Sequence, residues 1–91
     1  MTVVVDAQDR VLGVFTDGDL RRTLDRRLDP HVETMAAVMT SPCRTIGPGE
    51  LAAEAVHRME QHRITALPVV ADDGTLAGAL NVHDLMRAGV V

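Results

Sequence analysis

Apolar residues occur first in short continuous runs and then at helical spacing. Residues 3–5 and 11–15 are apolar runs, and the polar segment 6–9 between them has turn composition, which predicts a β-hairpin. From Asp19 onward apolar residues recur at helical spacing among arginines, a pattern typical of a helix with one solvated face. Asp29-Pro30 ends this pattern. The first part of the chain therefore predicts strand, turn, strand and helix.

The remainder of the chain predicts the same order of strand, turn, strand and helix. A linker helix, an extended piece and an amphipathic helix precede it. An amphipathic helix covers residues 50–62, with Glu50 and Glu54 in its first turns and Arg58 and His62 toward its end, the polarity that the helix dipole favours. The other elements, in chain order, are a linker helix over 32–40, an extended piece over 43–46, a strand over 66–70, a tight turn over 72–74, a strand over 76–80 and a helix over 82–88.

The two ends of the chain match each other at an offset of 65 positions, the distance from Val5 to Val70. Without a gap, this offset places Val4-Val5 on Val69-Val70, Gly13 on Gly78, Asp19-Leu20 on Asp84-Leu85 and Arg22 on Arg87. An internal repeat of this kind determines the architecture. We therefore expect an α/β (α+β) fold of two pseudo-symmetric β-β-α repeats, the first without the opening strand and helix that residues 43–62 supply to the second.

Each repeat leaves its second strand through a polar motif, Thr16-Asp17-Gly18-Asp19 in the first and Asn81-Val82-His83-Asp84 in the second. A Thr or Asn followed three residues later by an acid can form a capping box at a helix start. The same geometry suits a ligand, since the acid can accept hydrogen bonds from a ribose diol and helix N–H groups attract phosphate. Arg22 and Arg87, one helical turn beyond each Asp, can pair with phosphate oxygens. Local chemistry leaves both interpretations open.

Composition excludes two classes of partner. Hydrophobic residues make up 46% of the 91 residues, and Phe15 is the only aromatic one. Nine basic and 13 acidic residues give a net charge of −4 without a basic tract, which argues against nucleic-acid binding through phosphates. The apolar runs are too short to span a membrane and no signal-peptide run follows Met1, so we expect a soluble, cytoplasmic protein. A chain this short buries a modest part of its surface alone, which favours a partner.

Catalytic and metal-binding patterns are weak. Asp17 and Asp19 flank a glycine, but no further acid stands at calcium-loop spacing. His57 and His62 are not spaced to share a helix face as a ligand pair would. Cys43 is the single cysteine, which rules out an internal disulfide, and no Ser or Cys is grouped with a His and an acid. We expect neither a metal site nor a catalytic residue.

The repeated pattern, "GVFTDGDL" at residues 13–20 and in weaker form "GALNVHDL" at 78–85, is similar to a tandem of cystathionine β-synthase (CBS) domains. The V-M-T, short strand, helix and P-V-V order between the repeats resembles the same family, so that the similarity covers nearly the whole chain. "GVFTDGDLRRTL", "HRITALPVV" and "HDLMRAGVV" most resemble the C-terminal CBS pair of bacterial D-arabinose 5-phosphate isomerases. The resemblance implies a partial first repeat over 1–29, a linker over 30–42 and a complete second repeat over 43–91.

The resemblance also implies a ligand. CBS pairs bind AMP, ATP or other nucleotides in clefts between their repeats. Thr16 and Asp19 then hold ribose in one cleft and Asp84 in the other, where Asn81 replaces the usual Thr or Ser. The other expected ligand-binding residues are Thr45 and Ala66 at the base pocket and Arg22 and Arg87 at the phosphates. The family's part in making the sugar acid Kdo for lipopolysaccharide or capsule suggests a cytidine sugar nucleotide as a further candidate.

Two functions of different classes follow from these expectations. The first is a regulatory module, itself not an enzyme, that senses a nucleotide and acts on a sugar isomerase domain absent from this chain. The second is a purely structural dimerisation module, in which the T-x-x-D motifs are only helix caps. In both cases we expect a homodimer, because CBS pairs usually associate and the helices carry more apolar surface than a chain of this length can cover.

Overall fold

A computed structural model of the chain describes residues 1–90. Its elements are β1 (Thr2–Val5), β2 (Val11–Phe15), α1 (Asp17–Asp25), α2 (Met35–Val38), α3 (Ala52–His62), β3 (Ala66–Val70), β4 (Leu76–Asn81) and α4 (Val82–Arg87). They form two compact units that divide between Cys43 and Arg44. Each unit contains an antiparallel hairpin followed directly by a helix, which confirms the expected α/β class and the repeated β-β-α order.

The two hairpins have the same strand register. Val4 pairs with Gly13 in the first, and Val69 pairs with Gly78 in the second, as the sequence offset requires. Each ladder also carries one irregularity, directly after Val4 and directly after Val69. Because register decides which side chains share a face of a sheet, equivalent residues of the two repeats lie on equivalent faces.

Helix α1 begins and ends earlier than its apolar spacing predicts. The side chain of Thr16 caps the helix ahead of its first apolar residue. At the other end Arg27 has a left-handed φ of 59°, and the Leu28 N–H donates to the Thr23 carbonyl at 3.1 Å. This Schellman arrangement closes the helix before Pro30 is reached.

The other helices are shorter than their patterns predict. Helix α3 starts at Ala52 rather than Glu50, because the Glu50 side chain turns back to accept a hydrogen bond from the Gly47 N–H at 2.7 Å. The linker helix is reduced to α2, since Met39 already has an extended backbone. Helix α4 ends at Arg87, within a residue of the expectation. Within residues 1–90, no helix has the length and apolar character needed to cross a membrane.

The two units bury different kinds of side chain. The second has an apolar core of Ile46, Ala55, Met59, Leu67 and Leu85. Ile46, from the extended piece predicted over 43–46, reaches this core through a parallel bridge to Val69. In the first unit, the buried residues include Asp19 and Thr23 beside Val14. A buried polar group is tolerated when its hydrogen bonds are made, so the first unit depends on hydrogen bonding as well as on apolar area.

A close backbone approach explains why residue 13 is a glycine. Thr40 lies antiparallel to Val14: the Val14 N–H donates to the Thr40 carbonyl at 3.0 Å, and the Thr40 N–H donates back at 2.8 Å. A Cβ atom on Gly13 would lie 2.5 Å from the Thr40 carbonyl oxygen, closer than real Cβ contacts allow. The equivalent Gly78 has no atom within 4 Å of such a Cβ. The close approach therefore explains the glycine at position 13 but not the one at position 78.

We expect Gly13→Ala to lower the free energy of unfolding by roughly 1 to 3 kcal/mol, the usual cost of forcing an extra group into a filled space. Gly78→Ala is the matched control. It should leave the free energy unchanged or raise it by up to about 1 kcal/mol, because Ala restricts the unfolded chain more than Gly does. Urea unfolding followed by circular dichroism measures both. Equal effects of the two substitutions would contradict the part assigned to the Thr40 carbonyl.

Candidate functional site

The two polar motifs that follow β2 and β4 form the same capping box. Thr16 Oγ1 accepts from the Asp19 N–H at 3.3 Å, and Asp19 Oδ2 accepts from the Thr16 N–H at 2.8 Å. In the second repeat Asn81 Oδ1 accepts from the Asp84 N–H at 3.0 Å, and Asp84 Oδ2 accepts from the Asn81 N–H at 3.1 Å. The helix-capping interpretation is therefore confirmed for both motifs.

The Asp19 carboxylate is fully used inside its own unit. Oδ2 also accepts from the Thr16 hydroxyl at 3.0 Å, and Oδ1 accepts from Arg22 Nη2 and from the Thr40 hydroxyl, both at 2.6 Å. Asp19 is only 3% exposed. A carboxylate has about four acceptor sites, and all four are occupied here by protein donors. In this arrangement Asp19 has no acceptor site left for a ribose.

Two opposing effects set the pKa of Asp19. Burial by itself raises the pKa, because it disfavours the charged form. Hydrogen bonds from Thr40, Arg22 and Thr16 outweigh burial and hold the pKa of Asp19 below its ordinary value. The carboxylate is therefore ionised at neutral pH, and its charge stabilises the folded state.

The equivalent Asp84 is in a different environment. Its side chain is 44% exposed, and its Oδ1 lies 3.6 Å from Arg87 Nη2, beyond ordinary hydrogen-bond distance. Within residues 1–90 its carboxylate accepts a hydrogen bond only from the Asn81 N–H. Asn81 contributes to this difference: the Thr16 hydroxyl donates to Asp19, whereas the Asn81 side chain only accepts from the Asp84 backbone. Because Asn81 stands where the first repeat has Thr16, one acceptor site of the Asp84 carboxylate stays unoccupied.

The two predicted phosphate-binding arginines each follow their Asp by one helical turn. The Arg22 side chain is 65% exposed and ion-pairs with Asp19 at 2.6 Å. Arg87 is 77% exposed, and its looser pairing with Asp84 leaves its guanidinium donors accessible. An exposed guanidinium can bind phosphate oxygens through two parallel hydrogen bonds. Of the two arginines, Arg87 is the one whose donors are less engaged.

The structure places Ala66 beside the second motif and Thr45 on the other side of β3. Ala66 pairs directly with Asn81 across the β3–β4 ladder, and both belong to the same hairpin end as Asp84. Thr45 precedes Ile46, whose parallel bridge to Val69 lies along the opposite edge of β3. The half-buried Ala66 thus lies opposite the first residue of the second motif, whereas Thr45 flanks the hairpin from its far side.

Two side chains important to these motifs were missed by sequence reasoning. The Thr40 hydroxyl reaches Asp19 across 21 positions, and only its place in the V-M-T segment could have indicated a role. Arg58 Nη1 donates to the Thr45 carbonyl at 2.6 Å, and Nη2 pairs with Glu50 at 2.9 Å and with Glu54 at 3.3 Å. The hydrogen bonds from Arg58 lower the pKa of Glu50. Arg58 thus fixes the backbone at Thr45 to helix α3.

An apolar groove of about 360 Å³ lies behind the second motif. Its lining includes Val56, Met59 and Ile64, with Thr65 and Val82 at the end nearest the motif. Among residues 1–90, no cluster of three or more His, Cys, Asp or Glu side chains is arranged to hold a metal ion. Burial raises the pKa of the Cys43 thiol, which favours the protonated form at neutral pH.

Asp19 predicts a pH dependence of stability. Its folded pKa lies below its unfolded value near 3.8, so the unfolded state takes up a proton first as the pH falls. The stability that Asp19 contributes is therefore complete above that value and is lost as the pH drops through the folded pKa. We expect the difference in unfolding free energy between wild type and Asp19→Asn to shrink below about pH 4.

Urea unfolding at a series of pH values measures this difference. Thr40→Val is the companion variant, because it removes one of the hydrogen bonds that lower the pKa without removing the charge. Its folded pKa should lie closer to the unfolded value, so the contribution of Asp19 should be smaller and should be completely lost at a higher pH than in wild type. A difference between wild type and Asp19→Asn that stays constant down to about pH 3 contradicts the assignment.

Comparison with known proteins identifies the family. A family model described as "CBS domain" matches residues 35–91. The chain is 52% identical to the arabinose 5-phosphate isomerase KdsD of Pseudomonas aeruginosa over all 91 residues, which is 28% of that protein. It thus spans little more than a quarter of the length of this curated relative.

Solved structures agree with the fold. A signal-transduction protein with CBS domains from Burkholderia ambifaria superposes with a TM-score of 0.83 at 28% identity, over 97% of this chain and 64% of that one. A CBS domain protein of Pyrobaculum aerophilum, solved with AMP, superposes with a TM-score of 0.80 at 23% identity, over 98% of this chain and 73% of that one. The chain belongs to the CBS domain family and corresponds to the CBS region of KdsD isomerases.

Proposed function

We propose that this chain is the nucleotide-sensing regulatory module of an arabinose 5-phosphate isomerase. The similarity to KdsD over the whole chain supports the assignment to that enzyme. The aldose–ketose isomerisation belongs to the rest of such an enzyme, since this chain corresponds to its CBS region and covers 28% of the relative's length. The module acts through the affinity of its ligand for different states of the enzyme, the only way in which binding at one site can change another.

The observation that carries this proposal is the exposed Asp84 carboxylate at the end of β4. It is positioned by the capping box yet has acceptor sites to spare, unlike Asp19. The hydroxyls of a ribose diol are donors that match these sites. Arg87 stands on the same side of α4 with exposed guanidinium donors, which suit the phosphate of a nucleotide. We therefore assign the ribose contact to Asp84 and the phosphate contact to Arg87.

The first candidate ligand is an adenine nucleotide, AMP or ATP. The Pyrobaculum aerophilum protein of the same fold was solved with AMP, which supports this choice. A cytidine sugar nucleotide is the second candidate, because an isomerase that supplies a sugar acid can be regulated by the activated form of that acid. The two ligands share ribose and phosphate and differ in the base. Asp84 and Arg87 therefore serve both, while Ala66 and Thr45 contact the base.

Isothermal titration calorimetry of the chain with AMP, ATP and a cytidine-linked sugar acid tests the proposal. We expect saturable binding of at least one of them. Asp84→Ala should weaken it roughly 10- to 100-fold, the usual range for hydrogen bonds to a charged group. The matched control is Asp19→Asn, which alters a carboxylate of the same motif that protein donors already occupy. Its effect on affinity should be within about twofold if the chain remains folded.

Arg87 supplies a second comparison in the same titration. Arg87→Met should weaken AMP but leave the binding of adenosine unchanged, since adenosine has no phosphate for the guanidinium. The absence of heat with all three nucleotides removes the sensor function. If Asp19→Asn weakens nucleotide binding as much as Asp84→Ala does, the assignment of the ribose contact to Asp84 is contradicted.

A structural dimerisation module is the second candidate function. The complete hydrogen bonding of Asp19 favours it, because the first motif is explained by helix capping alone. Exposed apolar side chains also favour it: Met86 is 57% and Leu24 53% exposed, and the groove beside Ile64 is apolar. A small chain with exposed apolar surface gains stability when a second copy covers that surface.

We expect sedimentation equilibrium to show a homodimer at micromolar concentration. The buried apolar area drives the association, so raising the salt concentration should not dissociate it. A dimer that binds no nucleotide identifies the module as structural. A monomer at every concentration tested contradicts the dimer in both functions.

A further inference from the structure

The residue before the motif aspartate differs between the two repeats. It is Gly18 in the first repeat, and the 65-position offset places His83 there in the second. Each is the second residue of its helix and follows an N-cap with extended backbone, φ −121° and ψ 173° at Thr16 and φ −126° and ψ 166° at Asn81. The local backbone is therefore alike in the two repeats, and the difference at this position is the side chain.

In the first repeat the Arg22 guanidinium lies against Gly18. A Cβ atom on Gly18 would lie 3.3 Å from Arg22 Nη1 and 3.6 Å from Arg22 Nη2. The shorter distance is tighter than most Cβ contacts in proteins, so a side chain at this position would displace the guanidinium. With no side chain there, Arg22 Nη2 approaches Asp19 Oδ1 to 2.6 Å. Gly18 thus leaves the space in which the arginine forms a close ion pair with the aspartate.

The equivalent ion pair is wider in the second repeat. Arg87 Nη2 lies 3.6 Å from Asp84 Oδ1, compared with 2.6 Å in the first repeat. The Arg87 side chain is also more exposed, at 77% against 65% for Arg22. His83 has a Cβ atom and an imidazole ring where Gly18 has only hydrogen, and His83 is itself exposed. The arginine is therefore farther from its aspartate in the repeat that carries a side chain at this position.

A close ion pair competes with a ligand for both of its members. When the guanidinium donates to the carboxylate, the two charges neutralise each other, and fewer donors and acceptors remain for the phosphate and ribose of a nucleotide. An exposed ion pair of this kind is weak, worth at most about fivefold in an equilibrium constant. The side chain of one neighbouring residue is therefore enough to favour the separated arrangement.

We propose that His83 is a positioning residue, whose side chain keeps the Arg87 guanidinium from forming a close ion pair with Asp84. Both groups then stay available to a nucleotide. This inference rests on the proposed function, which assigns ribose to Asp84 and phosphate to Arg87. It adds that the residue before the aspartate determines which repeat offers a free guanidinium. In the first repeat, the glycine at this position leaves the arginine bound to its aspartate.

NMR of the arginine side chains in the 91-residue chain tests the steric effect without a ligand. A guanidinium that is bound to a carboxylate rotates more slowly about its Nε–Cζ bond than a solvated one. We therefore expect slower rotation for Arg22 than for Arg87 in wild type. His83→Gly should slow the rotation of Arg87 about threefold to fivefold, because the close ion pair can then form. His83→Phe is the matched control: it keeps a ring of similar size and should leave the rotation unchanged.

Isothermal titration calorimetry with AMP and adenosine tests the consequence for binding. His83→Gly should weaken AMP about threefold to fivefold. Adenosine should stay within about twofold, since Asp84 keeps roughly two of its four acceptor sites when the Asn81 N–H and Arg87 occupy the others. His83→Phe should bind both ligands as wild type does. In an Arg87→Met background, His83→Gly should have no further effect on AMP, because the guanidinium through which His83 acts is gone.

Three results would overturn the proposal. If the rotation of Arg87 and the affinity for AMP are unchanged in His83→Gly, the side chain does not separate the ion pair. If the Gly and Phe variants weaken AMP equally, the imidazole itself contacts the phosphate. If the effect of His83→Gly persists in the Arg87→Met background, His83 acts through the fold. Absence of nucleotide binding by wild type contradicts the proposed function instead, and the rotation of Arg87 still decides whether His83 separates the ion pair.

Discussion

The buried Asp19 carboxylate holds the first unit together. Its donors come from three parts of the chain: Thr16 at the end of β2, Arg22 in α1 and Thr40 in the segment that returns along β2. A buried carboxylate is tolerated only when its acceptor sites are filled by hydrogen-bond donors. Removal of one donor leaves a buried charge that is incompletely hydrogen-bonded. Asp19 therefore joins the hairpin, the helix and the returning segment through hydrogen bonds, although few apolar side chains are buried among them.

The second repeat has the same local geometry in a different environment. Its register, capping box and following helix match those of the first, but its carboxylate is left accessible. Its stability comes from an apolar core around Leu67 instead. Because that core does not depend on Asp84, this carboxylate is available to bind a ligand at little cost to the fold. The duplicated motif thus holds a carboxylate with filled acceptor sites in one repeat and an exposed carboxylate in the other.

The sequence predicted the hairpins, the repeat and both capping boxes, and it was less accurate for helix ends. Strand pattern and cap chemistry are local, so they can be read from neighbouring residues. Helix α1 ended early because Arg27 adopts a left-handed conformation, which no residue-type preference for Arg indicates. Helix α3 began late because Glu50 binds the Gly47 N–H and Arg58. In each case another interaction or conformation keeps out of the helix a residue that the apolar pattern had placed in it.

The sequence by itself determined the order of elements, the equivalence of Asp19 and Asp84, and membership of a family that repeats this motif. Only the tertiary structure decided which of the two carboxylates is free. That difference depends on the Thr40 hydroxyl, which is distant from Asp19 in the chain but adjacent in space. It also depends on whether Thr16 or Asn81 offers a donor, a matter of side-chain geometry. Periodicity and spacing describe neighbours along the chain, whereas burial and hydrogen-bond saturation depend on residues that meet only after folding.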